Sequence, residues 1–308
     1  MVSAAGGTGS RRDFLRLLAA APLAAATGQE SGRPLFSFAV LADIQFADKD
    51  GAGARAYRQS LEKLRAVRAL LAGEKLKFVI QLGDFIDEGG ANFDRIAPLY
   101  RRLPAPRYHV LGNHDFFAGR EAVLKRYRLR RPYYEFRAGR WQFVVLDGMH
   151  VSVKGGWSES SPNHQAGRRL LAELKRQGAV NANDWNGAAD GQQRAWLEGQ
   201  LRRAAQRHER SVIFCHFPVL PESCRPDHLL WDYRQVLEVL DSAPSAVAYL
   251  NGHDHRGGYA ERNGVHFLTL AGLVEHSVER ALRVVDVHHD RLVVRQAGAK
   301  EGQILSAR

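Results

Sequence analysis

The chain has 308 residues, of which 45% are hydrophobic and 25% are charged, so its composition is that of a globular protein and excludes a disordered or fibrous class. The formal net charge is +11, and three arginines and one aspartate among the first 26 residues supply +2 of it, which leaves about +9. This balance favours anionic partners, and we interpret it as an arginine-rich solvated surface rather than as a dedicated nucleic-acid groove.

Residues 1–26 are predicted to be an export signal. The sequence SRRDFLR precedes a short apolar stretch, LLAAAPLAAA, and Ala24 and Ala26 form the small-x-small pattern that signal peptidases cut. The segment resembles a twin-arginine signal, which implies that the folded protein passes the twin-arginine export machinery and is periplasmic or secreted. A transmembrane helix needs ~20 apolar residues, so we expect no membrane span in the mature chain. The alternative is a cytosolic amphipathic extension.

Hydrophobic periodicity predicts alternating strands and helices in the first half of the remaining chain. In chain order they are a strand at 35–43, a helix at 54–71, a strand at 77–84, a helix at 92–102, a strand at 107–113, a helix at 119–128 and a hairpin that turns at 138–140. After a helix at 192–207, a strand at 211–217, a helix at 227–241 and a strand at 246–255, the chain ends in β-structure, with a hairpin turn at Asn263 and Gly264.

Residues 152–191 differ from their surroundings because they are dense in Gly, Ser, Asn and Asp around one predicted helix at 166–177. Long loops in compact domains are often functional, so this segment is predicted to be a lid-like insertion. We expect one domain over residues 33–308. The two cysteines, Cys215 and Cys224, are expected to be unpaired thiols, although a disulfide is the alternative in an oxidising compartment.

Five of the predicted strands end in side chains that bind metals. These residues are Asp43 with Gln45, Asp84, Asn113 with His114, His216, and His253 with His255. The carboxyl ends of strands line the ligand crevice in open α/β sheets, so five such endings can meet at one pocket. Residues two apart on an extended backbone point the same way, which allows both members of a pair to reach one centre. Oxygen and imidazole donors without thiolate suit Mn, Fe or Zn.

These motifs, D-x-Q, GD, GNHD, a single strand-end His and GHDH, resemble in their order those of the calcineurin-like metallophosphoesterase superfamily. The segments DIQFAD, QLGDFID, HLLWDYRQVLEVL and GVHFLTLAGLVE resemble its manganese-dependent ADP-ribose/CDP-alcohol diphosphatase branch. The resemblance implies an α/β four-layer sandwich of two mixed β-sheets flanked by helices. It also implies a hydrolase that cleaves the phosphoanhydride of a nucleoside diphosphate linked to a second group. The products would be a nucleoside monophosphate and a phosphorylated alcohol or sugar.

The resemblance further implies two divalent metal ions. One would be held by Asp43, Gln45, Asp84 and His255, and the other by Asp84, Asn113, His216 and His253. Histidine is usual in the superfamily at the place of Gln45, and the harder amide oxygen favours Mn²⁺, with Fe, Zn or Mg as alternatives.

Two further residues are expected to act in catalysis. His114 would protonate the leaving phosphate or stabilise phosphoryl charge, and Asp115 would orient His114. For the nucleotide-type substrate, Phe46 is predicted to touch the base at the pocket rim, and Asn186 and Gly187 to contact phosphate or sugar.

Two other functions stay open at this stage. One is a phosphodiesterase or phosphomonoesterase that has the same metals and another pocket, and the other is a non-catalytic binding module on the same scaffold. A module of that kind is expected to have lost ligands, and the chain retains all of them.

Overall fold

A computed structural model describes residues 32–308, so the predicted export signal at 1–26 lies outside the described residues. The described residues contain twelve strands and seven α-helices. The strands are β1 (Phe36–Leu41), β2 (Leu76–Leu82), β3 (Arg107–Val110), β4 (Tyr134–Ala138), β5 (Trp141–Val145), β6 (Arg210–Phe214), β7 (Ala246–Asn251), β8 (Gly258–Arg262), β9 (Val265–Thr269), β10 (Arg283–Val287), β11 (Arg291–Arg295) and β12 (Gln303–Ser306). The helices are α1 (Ser60–Leu71), α2 (Gly90–Tyr100), α3 (Arg120–Tyr127), α4 (Pro162–Arg176), α5 (Asp190–Gln206), α6 (Tyr233–Asp241) and α7 (Val278–Ala281).

The strands form two mixed six-stranded sheets. The first has the order β12-β11-β10-β1-β2-β3, and the second has the order β4-β5-β6-β7-β9-β8. In the first sheet β1 runs parallel to β2 and antiparallel to β10. In the second, β5, β6 and β7 are parallel neighbours and β4 adds an antiparallel edge. The parallel strands β1, β2 and β3 in one sheet, and β6 and β7 in the other, precede the predicted metal ligands.

The alternation of side chains along β1 shows how the layers are built. Phe38 and Val40 are fully buried in the cluster between the two sheets, which also takes Phe143 from β5 and Phe214 from β6. Ala39 and Leu41 point the other way, into a cluster with the apolar face of α1 and α2. A third cluster packs the outer face of the second sheet against α5 and α6. The protein is therefore a four-layer sandwich of helices, sheet, sheet and helices, as predicted.

Residues 152–191 form a closed excursion rather than an open loop. An isolated antiparallel bridge between Val151 and Ala188 joins its two ends. Leu171 of α4 packs with Trp231 in a small apolar cluster, and the Asn181 side chain donates to the Leu230 carbonyl at 3.0 Å. The segment is thus fastened to the second half of the sandwich by both packing and hydrogen bonds.

Most predicted elements are present, with four differences. Helix α1 begins at Ser60 rather than at 54, and the short helix α7 was not predicted. Helix α6 begins at Tyr233 rather than near 227, because the backbone N–H groups of Leu230 and Trp231 donate to the carbonyls of Pro218 and Gly187 instead of entering a helix. Strand β12 was not predicted, since four residues give too little periodicity to identify a strand. Cys215 and Cys224 are free thiols, as expected. Within residues 32–308, no helix combines the length and the apolar character that crossing a bilayer requires.

Candidate metal centre

The predicted ligands meet where β1, β2, β3, β6 and β7 end. One ligand atom each from Asp84, His216 and His253 lies within 4.8 Å of the others, and all three side chains are buried. His216 Nε2 is 3.3 Å from Asp84 Oδ2, and 3.2 Å from Asn113 Oδ1. Side chains between 84 and 253 in the sequence therefore converge on one point.

The backbone around this point is bent into conformations that side-chain-bearing residues rarely adopt. Asp43, Gln45, Asp84 and His253 have φ values of 53°, 40°, 51° and 69°. Such left-handed residues cost about 1–3 kcal/mol each and persist only where the surroundings hold them. A Cβ on Gly112 would collide with the Asp84 carboxylate, so only glycine allows the two loops to cross here. Four of the eight non-glycine residues with positive φ in the described part of the chain lie at this site.

The hydrogen bonds of His216 and His253 determine where their protons lie. His216 Nδ1 lies 2.8 Å from the Leu82 carbonyl, so this nitrogen carries a proton and donates it. The amide nitrogen of Asn186 donates to the carbonyls of Asn181 and Asp227, so Asn186 Oδ1 must accept from His253 Nε2 at 2.9 Å.

As a result, the bare nitrogens of two neutral imidazoles would face each other. His253 Nδ1 and His216 Nε2 are 3.1 Å apart, beside the Asp84 carboxylate, so an additional proton or a cation must lie between them. Such a pair of lone pairs requires a positive charge between them. Burial disfavours protonation, yet the Asp84 carboxylate raises the pKa of His216 to about 9, and burial lowers the pKa of His253 well below its usual value. The donor set thus fits a divalent cation.

The other side of the centre has the same construction. His255 Nδ1 is bonded to Glu275 Oε1 at 2.7 Å, and its Nε2 lies 3.3 Å from Asp43 Oδ1. A carboxylate that holds the second nitrogen of a histidine is the usual support for a metal-binding imidazole. Gln45 donates its amide N–H to Asp84 Oδ2 at 3.0 Å, while its buried Oε1 has no partner among the described residues. An unpartnered buried oxygen is an acceptor available to a cation.

A cleft of about 820 Å³ opens above these residues. Gln45, Asp84, Asn113, His253 and His255 form part of its lining. The remaining lining residues are Arg55, Asp87, Glu88, His114, Phe116, Phe117, Val153, Lys154, Gly156, Trp157, Trp185 and His228. The cleft combines aromatic walls with two cations, which suits a phosphorylated ligand that carries a ring.

A model of the calcineurin-like phosphoesterase family matches residues 36–257. The chain belongs to this family. The phosphoesterase is 30% identical to the manganese-dependent ADP-ribose/CDP-alcohol diphosphatase of Xenopus tropicalis, over 88% of this chain and 94% of the relative. It is 31% identical to the protein of the same name in Arabidopsis thaliana, over 80% of this chain and 89% of that one. The crystal structure of a dimetal phosphatase from Danio rerio superposes with a TM-score of 0.80 at 29% identity, covering 89% of this chain and all of that one.

The resemblance predicted from the motifs is thereby confirmed, and the chain is a metal-dependent phosphoester hydrolase of calcineurin-like fold. The manganese dependence in the names of its relatives agrees with the preference for Mn²⁺ inferred from Gln45.

The predicted contact between Asp115 and His114 is wrong. The phosphoesterase buries Asp115 completely, and its carboxylate accepts from the backbone N–H groups of Asp84, Phe85 and Gly112 and from the Tyr127 hydroxyl. Asp115 ties the loops after β2 and β3 together and does not line the cleft. The carboxylate beside His114 is that of Asp87, whose Oδ1 lies 2.7 Å from His114 Nδ1.

Asp87 influences the charge of His114 as well as its position. Burial lowers the pKa of His114, but the carboxylates of Asp84 and Asp87 outweigh burial and raise it above the usual value. With Nδ1 against Asp87, Nε2 is the nitrogen that remains for a ligand in the cleft. His114 is 28% exposed, so that nitrogen can be reached.

The three predicted substrate contacts are also wrong. Phe46 is fully buried in the apolar cluster beneath α1 and α2 and does not line the cleft. Asn186 is fully buried and holds His253. Gly187 is buried too, and a Cβ there would strike the carbonyl of Gly148, so it serves the packing of the insertion.

Several residues of the site escaped sequence reasoning. Asp87 ends the QLGDFID segment, three residues after Asp84. Glu275 ends the AGLVE segment, 20 residues after His255. Their position next to known motifs was the available signal. Trp157 and Trp185, which line the cleft, come from the insertion at 152–191. The composition of that segment gave no reason to predict that these tryptophans, rather than Trp231, would reach the cleft. His109 and Asp254 lie outside the centre: His109 is bonded to Gln81, and Asp254 is paired with Arg225.

Proposed function

We propose that the phosphoesterase uses two divalent cations, Mn²⁺ being favoured, to hydrolyse the phosphoanhydride of nucleoside diphosphate-X compounds of the ADP-ribose or CDP-alcohol type. Water adds across the P–O–P bond, which yields a nucleoside monophosphate and a phosphorylated alcohol or sugar. The observation that carries the proposal is the facing pair of imidazole nitrogens, 3.1 Å apart beside Asp84, at the floor of the cleft. The names of the relatives support this choice of substrate class.

The proposed ligands would form two sets, one for each ion, with Asp84 in both sets. Asp43, Gln45, Asp84 and His255 would hold one ion, and Asp84, Asn113, His216 and His253 the other. Bound there, divalent cations would supply Lewis-acid stabilisation of the phosphoryl charge. The protein holds the donors in place beforehand: Leu82, Asn186 and Glu275 each occupy the second nitrogen of one histidine.

His114 is proposed to act on the leaving phosphate. Its Nδ1 is held against Asp87, and His114 lines the cleft, where its Nε2 would give a proton to the departing oxygen or stabilise the charge on it. Arg55 and Lys154 line the same cleft, paired with Glu275 at 3.4 Å and with Asp184 at 3.0 Å, and would turn to bind the substrate phosphates. Trp157 and Trp185 replace Phe46 as the aromatic residues within reach of a base.

A substrate panel tests this proposal. Turnover of ADP-ribose and CDP-choline with Mn²⁺ is compared with turnover of cyclic AMP and p-nitrophenyl phosphate. The two diphosphates should be hydrolysed far faster. If only the last two compounds are turned over, the alternative is correct, namely a phosphodiesterase or phosphomonoesterase with the same metals.

The variant His114→Ala separates an enzyme from a binding module. Loss of a positioned acid or charge stabiliser costs about 10²-fold or more in rate, so kcat should fall by that factor while the fold and Mn²⁺ binding stay. Equal and negligible turnover in the wild type and the variant would favour a non-catalytic module on this scaffold.

We further propose that residues 1–26 direct the folded protein through the twin-arginine machinery to the periplasm or outside the cell. The paired arginines Arg11 and Arg12 support this proposal, together with Ala24 and Ala26. Replacing both arginines with lysine should retain the protein, uncleaved, in the cytoplasm of an expressing bacterium. Cleavage and export that are unchanged by this replacement would exclude the twin-arginine route.

A further inference from the structure

A second cleft, of about 520 Å³, lies where the end of α2, β3 and the segment after α3 meet. It shares no lining residue with the catalytic cleft. Its floor is aromatic and buried, and consists of Phe85, Phe93, Tyr100 and Tyr127. Its rim carries six arginines, so we call it the arginine cleft. The arginines are Arg101, Arg107, Arg126, Arg128, Arg130 and Arg131.

The charge of the rim is largely uncompensated. Arg126 is paired with Asp94, and Arg107 donates to the carbonyls of Leu103 and Ala105. Within residues 32–308, the other four rim arginines have no carboxylate partner, and none of the residues that line the cleft is an acid.

The net charge by itself predicts arginines spread over a solvated surface. The fold instead gathers the arginines of 101–107 and 126–131 at one concave site. Like charges held together around a partly enclosed cleft repel one another and raise the local potential, which favours a bound anion.

The floor of the arginine cleft also offers one directed donor. The Gln81 amide nitrogen donates to the Val110 carbonyl and to His109 Nδ1, at 2.9 and 3.1 Å, while Gln81 Oε1 accepts from Gly83. His109 Nδ1 is therefore the acceptor, and Nε2 carries the proton. Among the described residues this Nε2–H has no partner, although His109 lines the cleft.

We propose that the arginine cleft binds a phosphorylated small molecule with a ring-containing body, the phosphate lying among the rim arginines and the ring against the aromatic floor. The volume is in the range of small-ligand pockets. Guanidinium groups bind phosphate through paired N–H donors, and the His109 Nε2–H provides a hydrogen bond near the floor. A single-stranded nucleic acid fits less well, because stacking of successive bases requires several aromatic faces along an extended groove, whereas this site is one cleft of about 520 Å³.

The test uses the full-length, Mn²⁺-loaded protein and 1-naphthylphosphonate, whose P–C bond is not a substrate for hydrolysis. Binding is measured by titration calorimetry in the wild type and in two double variants. The variant Arg130→Glu/Arg131→Glu changes two exposed, unpaired rim residues. The matched control, Arg168→Glu/Arg169→Glu, changes the net charge equally on two exposed residues of α4 that line neither cleft.

We expect the R130E/R131E variant to bind one 1-naphthylphosphonate molecule fewer per chain than the wild type, or to bind that molecule at least about tenfold more weakly. The reason is that two attractive charges become repulsive. The control should bind as the wild type does. ADP-ribose turnover should stay within about twofold in both variants, which shows that they are folded and that the arginine cleft is separate from the catalytic one.

Three results would overturn the proposal. Equal probe affinity in both double variants would mean that the arginine cleft is not the site. Inorganic phosphate that binds as tightly as the naphthyl compound would mean that the floor takes no ring. A (dT)20 oligonucleotide that binds more tightly than the probe, and depends on Arg130 and Arg131, would identify a nucleic-acid groove instead.

Discussion

The variant Asn186→Ala distinguishes a residue that supports the metal centre from one that binds substrate. Asn186 is fully buried, and it accepts from His253 Nε2 while its amide nitrogen donates to two carbonyls. Removing the side chain leaves His253 free to change its tautomer and to turn its proton towards the metal. Loss of such a supporting partner costs about 10- to 100-fold in metal affinity, which corresponds to about 1.4–2.7 kcal/mol.

The same substitution should also destabilise the protein. It leaves His253 Nε2 without a partner, whereas the carbonyls of Asn181 and Asp227 each keep a hydrogen bond from Asn183. An unpartnered buried polar group costs about 1–3 kcal/mol unless water replaces the lost contact. We expect the free energy of unfolding to fall by about 2 kcal/mol, which lowers Tm by roughly 4–8 °C for a large domain.

The assay is ADP-ribose turnover as a function of Mn²⁺ concentration, followed by KM for ADP-ribose at saturating Mn²⁺. Asn186→Ala should need 10 to 100 times more Mn²⁺, on the order set by loss of a supporting partner, and should regain most activity with KM unchanged. Asn183→Ala is the matched control, since the Asn183 side chain donates to the Asp227 carbonyl at 3.1 Å and does not touch His253. A raised KM with unchanged Mn²⁺ dependence in Asn186→Ala would refute this reasoning and restore the substrate contact predicted from the sequence.

Three other predictions follow from the contacts of the site. Asp87→Asn should lower kcat about tenfold, less than loss of His114 itself, because an amide holds the imidazole without its charge; a rate within twofold, on the order of assay error, would remove Asp87 from the mechanism. Phe46→Ala should lower the free energy of unfolding by about 3–5 kcal/mol, as for a buried aromatic, in urea denaturation; a stable variant with a raised KM would place Phe46 in the cleft after all. Chelation of metal should abolish turnover and lower Tm. Adding Mn²⁺ at 100 times its Kd should then raise the free energy of unfolding by about 2.7 kcal/mol. Activity that survives exhaustive chelation would contradict a metal centre.

The metal-binding residue types were readable from the sequence because each follows a hydrophobic strand. Asp43, Asp84, Asn113, His216 and His253 could be picked out by local pattern alone. Parallel strands of an α/β sheet bring their carboxyl ends to one edge whatever the details of packing, so local pattern was sufficient to predict that these residues would meet. The layered fold could be predicted for the same reason.

The surroundings of those ligands depend on contacts between distant parts of the chain. Asn186 lies 67 residues from the histidine that it supports. Asp87 and Asp115 are both close to His114 in the fold, and only the crossing of two loops decides that Asp115 satisfies backbone N–H groups while Asp87 touches the imidazole.

The arginine cleft likewise combines segments that the sequence keeps apart. Sequence by itself therefore determined which side chains could bind a metal and on which kind of fold. The tertiary structure decided which neighbours hold them, which aromatic residues reach the cleft, and where the positive charge collects. The physical reason is that hydrophobic periodicity is a local property, whereas hydrogen-bond partners and burial are set by how the layers pack.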